Sequence, residues 1–104
     1  MPEQEYSIER VGIPNLDFTG TIIGSSSDPA PMLKIYRTKA GKFIGALRVD
    51  AERSNARPFD KPGDLIIWLK GEVGSPINQV AQEAVEEAAK NDNDFKAAWN
   101  EHVD

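Results

Sequence analysis

Apolar side chains recur mostly at every second position between residues 17 and 47, and at every third or fourth beyond residue 76. The pattern predicts strands first and helices last. In residues 17–23, Phe18, Gly20 and Ile22 share one side while Thr19, Thr21 and Ile23 share the other; the wealth of β-branched residues predicts a strand. Residues 33–47 (LKIYRTKAGKFIGAL) predict a hairpin. Leu33 and Ile35 alternate with Lys34 and Tyr36 on one arm, and Phe43, Gly45 and Leu47 with Ile44 and Ala46 on the other. A three-residue loop of Lys39, Ala40 and Gly41 puts glycine at the left-handed position that such loops need. Pairing Thr38 with Lys42 then sets Tyr36 opposite Ile44, Ile35 opposite Gly45 and Leu33 opposite Leu47, so both arms share one apolar face.

The flanking segments are less regular. Residues 6–11 predict a short edge strand before Gly12, Pro14 and Asn15, and the order of residues 1–16 stays open. Residues 24–31 (GSSSDPAP) read as a loop that breaks the ladder, and residues 50–63 as a long polar connection anchored by Phe59. Residues 64–70 (DLIIWLK) are apolar on both sides and bounded by Gly63 and Gly71, which predicts a central strand covered on both faces. Ser75 as cap and Pro76 at the first helical position then open a helix whose stripe is Ile77, Val80, Ala81, Ala84, Val85 and Ala88. Residues 91–94 (NDND) stop it and cap a short helix in which Phe95, Trp99 and either His102 or Val103 share a face. The expected architecture is α+β, a single domain over residues 1–104: an antiparallel sheet of about four strands, then two C-terminal helices packed on one of its faces.

Composition fits this plan. Leu, Ile, Val and Phe are 24 of 104 residues, enough for one modest core. With no cysteine there is no disulfide, thiolate metal site or cysteine nucleophile. No apolar run approaches the roughly 18 residues of a membrane span, and the acidic N-terminus has no signal-peptide pattern, so a cytoplasmic location without membrane contact is expected.

Charge changes the picture more. The chain carries a net charge of −5, yet residues 34–61 hold eight cations against three carboxylates, and residues 71–104 eight carboxylates against two lysines. A basic middle lies between acidic ends. Lys34, Arg37, Lys39, Lys42, Arg48, Arg53 and Arg57, with Tyr36 beside them, are therefore the candidate binding residues. They suit either a protein partner or a nucleic-acid backbone with a base stacked on the tyrosine. The alternative is a solvated face whose lysines discourage edge pairing.

No catalytic or metal motif competes. Residues 24–27 (GSSS) lack the lysine and following helix of a phosphate loop, and residues 91–94 lack the glycine and distal glutamate of a calcium loop. His102 is the third residue from the end of the sequence, without the rigid neighbours a base needs. Glu83, Glu86 and Glu87 read as a solvated helix face. No metal, cofactor or enzymatic activity is expected, and the oligomeric state is open.

Residues 18–20 (FTG) and 35–43 (IYRTKAGKF) together resemble the strand and Y-R-T-x-x-G-K-[FY] hairpin of the EXLDI-type bacterial proteins, over about a quarter of the chain. The C-terminal E-x-L-D-I signature of that family is absent. The resemblance implies a small bacterial accessory protein and assigns no catalytic residue. The expected function is a non-enzymatic accessory module that binds a protein partner, with nucleic-acid binding through residues 34–61 as the second reading.

Overall fold

The computed structural model describes residues 3–10, 12–26, 32–48, 54–73 and 79–99. Five strands, β1 (Gln4–Arg10), β2 (Ile13–Ser25), β3 (Met32–Thr38), β4 (Phe43–Arg48) and β5 (Ser54–Phe59), are followed by helices α1 (Pro62–Val73), α2 (Gln79–Asn91) and α3 (Asn93–Trp99). The strands form one antiparallel meander in the order β1-β2-β3-β4-β5. The class is α+β, as expected, with one strand and one helix more than expected.

The hairpin register is the predicted one: Leu33 pairs with Leu47, Ile35 with Gly45 and Tyr36 with Ile44. Thr38 N donates to Lys42 O at 2.8 Å and Gly41 N to Thr38 O at 2.9 Å, while Gly41 has φ +86°, the left-handed value that favours glycine. Odd-numbered residues of β3 and β4 face the helices: Leu33, Ile35, Phe43 and Leu47 join Leu65, Ile66, Leu69, Ala81, Ala84, Val85, Ala88 and Phe95 in the core.

Residues 64–70 are the main correction. They lie in α1, not in a strand, with Leu65, Ile66 and Leu69 buried and Ile67 68% exposed. Those buried positions follow helical spacing, and Pro62 at the first helical position with Asp64 in the first turn supplies the start signals. The second correction concerns residues 50–63, where β5 replaces part of the expected loop. Pro58 is tolerated there because β5 is an edge strand whose outward side needs no donor. Thirdly, β2 continues through Gly24 and Ser25, and Ser26 extends the pairing: its backbone N donates to Leu33 O, and its Oγ accepts from Leu33 N, both at 2.8 Å. The expected edge strand near residue 6 is present as β1, and β2 begins at Ile13, so strands occupy most of residues 1–16.

A bulge between Ile22 and Gly24 turns both Ile23 and Gly24 toward the helices. Ile23 fills the core, and Gly24 leaves room for α2, because a Cβ there would run into Ala84 O and lie 2.8 Å from Ala88 N. Asn91 Nδ2 closes the arrangement by donating to Ile23 O at 2.8 Å. The stop at residues 91–94 is as predicted. Asp92 caps α3 by accepting from Phe95 N at 3.0 Å. The expected helix start at Ser75 and Pro76, with Ile77, Arg53, residues 27–31, His102 and Val103, lies outside the described residues.

Candidate functional site: the helix-free face of the sheet

Since α1 and α2 pack on the odd-numbered face, the even-numbered side chains of β3 to β5 point away from every described helix. That face is nevertheless partly buried, with Tyr36 5%, Ile44 2% and Ala56 1% exposed. The sheet buries it by curling, so that β1 comes round to β5 and Arg10 Nη1 donates to Ala56 O at 3.4 Å, while its Nε donates to Pro14 O at 2.8 Å. Across β1, β2 and β3, Tyr6, Phe18 and Tyr36 form a ring cluster with centroids 5.3 Å (Tyr6 to Phe18), 4.8 Å (Tyr6 to Tyr36) and 5.1 Å (Phe18 to Tyr36) apart. Burial, and secondarily the Tyr6 phenol, pushes the Tyr36 phenol above the ordinary tyrosine range.

Register then places small residues beside this cluster. Lys34 pairs with Ala46, which pairs with Ala56, and Arg48 lies two residues along β4 on the same face. Ala56 O holds Arg10. Lys34, Arg48 and Arg10 thus surround a floor of two alanines. Lys34 and Arg48 are exposed, and among the described residues neither takes part in an ion pair.

The remaining candidates are dispersed. Tyr36 is walled in by the rings of Tyr6 and Phe18, so its face is not available for stacking. Arg37 faces the helices, where Nη1 donates to Asp92 Oδ2 at 2.6 Å and Nη2 lies 2.9 Å from Asp94 Oδ2. The hydrogen bond to Asp92, reinforced by the charge of both aspartates, raises the Arg37 pKa and spends its charge inside the protein. Arg57 lies on the helix side of β5 with its guanidinium carbon 5.9 Å from the Phe59 ring centroid. Lys39 is exposed in the turn, and Lys42 Nζ lies 3.6 Å from Asp60 Oδ1. The expected continuous patch therefore resolves into a turn end, a helix-facing pair and the basin of Lys34 and Arg48.

Arg10, Ala46 and Ala56 are missing from the sequence-based candidates. The hairpin register already sets Ala46 opposite Lys34, but the parts of Arg10 and Ala56 depend on β1 meeting β5 across 46 residues, which alternation within one strand does not signal. Among the described residues no three His, Cys, Asp or Glu side chains gather as a metal site, and no helix is long and apolar enough to cross a membrane. Comparison with family models, with curated proteins and with solved structures found no match for the chain.

Proposed function

We propose that this protein is a non-enzymatic accessory module that binds a protein partner through the basin of Lys34, Arg48 and Arg10, and that the partner presents carboxylates to it. The observation that carries this reading is the register that sets the exposed Lys34 and Arg48 beside Ala46 on one face of the sheet, with Arg10 held at the neighbouring Ala56 carbonyl. Nucleic acid is the weaker fit. Arg37 is neutralised by aspartates and Tyr36 is packed away, which removes a phosphate contact and the stacking platform from that reading. An accessory role is what the hairpin's resemblance to EXLDI-type proteins implies.

The test is affinity capture from native lysate, with and without nuclease, by the parent chain and by Lys34→Glu/Arg48→Glu. A partner retained after nuclease treatment and lost with the double substitution is the expected result. Oligonucleotide binding at low salt, falling steeply as salt rises and abolished by the same substitutions, would assign the basin to nucleic acid instead.

A further inference from the structure

Helix α1 carries a pattern that contacts among the described residues leave unused. Outward from Ile67, residues of matching or opposite chemistry stand at equal distances: Leu65 and Leu69 two positions away, Asp64 and Lys70 three, Gly63 and Gly71 four. The two leucines are fully buried in the core. Ile67 is instead 68% exposed, Asp64, Lys70 and Gly71 are exposed, and Gly63 is half-buried. A Cβ on either glycine would meet nothing within 4 Å, so packing among the described residues demands neither of them. Among the described residues neither Asp64 nor Lys70 takes part in an ion pair.

We propose that this face of α1 binds a second copy of the chain, α1 against α1 in antiparallel order, about a two-fold axis at Ile67. Such an axis places residue 67−n of one copy level with residue 67+n of the other. A two-fold interface must be complementary to itself, so its charges must reverse sign about its centre. Asp64 and Lys70 meet that condition: each aspartate comes level with a lysine of the other copy, twice over. Gly63 and Gly71 come level as well, just outside the charged pairs, so the two backbones can approach closely. The Ile67 side chains then meet at the axis and leave water. An unrelated helix offers no reason for charge reversal and glycine placement to share one centre. The surface lies on the helix side of the sheet, opposite the basin, so this inference stands apart from the proposed function.

Sedimentation equilibrium of the full chain over a concentration series tests it. The parent chain is expected to show a reversible monomer–dimer equilibrium, and Ile67→Glu to weaken it by at least about tenfold through the loss of the central contact and the burial of a charge. Asp64→Lys and Lys70→Asp should each weaken it, because like charges then come level, while the two together should restore association. Circular dichroism should show the fold retained in all of these, since the substituted positions are exposed and reversing a charge at a helix end costs little. A parent chain that remains monomeric at the highest concentration, a dimer indifferent to Ile67→Glu, or a double substitution that fails to restore association would each overturn the proposal.

Discussion

Arg37 shows how a single position changes meaning when its surroundings are known. In the sequence it is one cation among eight, but its place on β3 shares the parity of Leu33 and Ile35, the apolar side of the hairpin. A charged residue on that side needs a partner, and the structure supplies Asp92, only 7% exposed, at 2.6 Å. Substitution by glutamate would place a third carboxylate beside Asp92 and Asp94 and leave Asp92 buried without its cation. Breaking a buried pair costs about 3–5 kcal/mol; discounted for the partly exposed guanidinium, Arg37→Glu is expected to destabilise by about 2–3 kcal/mol. Lys39→Glu, on the exposed turn, should stay within about 0.5 kcal/mol. Urea denaturation of both variants checks the contrast, and equal midpoints would show that the Arg37 pair contributes nothing. The parity of Arg37 was legible in advance; its partner was not, because 55 residues separate the two.

Among the elements, those specified by local chemistry were legible. The hairpin is fixed by alternation on both arms and one glycine, and the α2–α3 junction by a short polar run that caps, so both appear as read. Residues 64–70 misled because an apolar run without alternation suits a doubly covered strand and a helix alike, and only its neighbours decide. Pro62 and Asp64 favoured a helix, while Gly63 and Gly71 suggested boundaries that α1 in fact runs through. Exposed glycine inside a helix costs about 1 kcal/mol relative to alanine, which is why it reads as an end. The helical assignment makes its own prediction: Leu65→Ala, which empties a fully buried site, should cost about 2–5 kcal/mol. Ile67→Ala, two residues on, should change monomer stability by less than about 0.5 kcal/mol. A central strand would bury both faces and make both substitutions costly, so thermal denaturation of dilute samples of the pair separates the two placements.

At the scale of the whole molecule, the decisive feature is closure. An open sheet with helices on one side would leave Tyr36, Ile44 and Ala56 in water, yet all three are buried because β1 swings round to β5. Arg10 is the side chain that spans that seam, and it also occupies an outward carbonyl of the edge strand, whose Pro58 offers no donor to a foreign strand. The Tyr36 phenol reports on the closure, since burial is the larger cause of its raised pKa. A phenol that ionises later in the folded than in the unfolded chain contributes stability that is complete below about pH 10 and is lost as pH rises through the folded value. Arg10→Ala should loosen the seam, let water reach the floor and bring the Tyr36 pKa down toward the ordinary tyrosine range. Alkaline spectrophotometric titration can follow this in a Tyr6→Phe background, where Tyr36 is the only tyrosine left. There, the arginine substitution should shift the titration to lower pH and flatten the loss of stability above pH 10. Superimposable curves would mean that apolar contacts between β1 and the rest of the sheet hold it closed and that Arg10 only decorates the join.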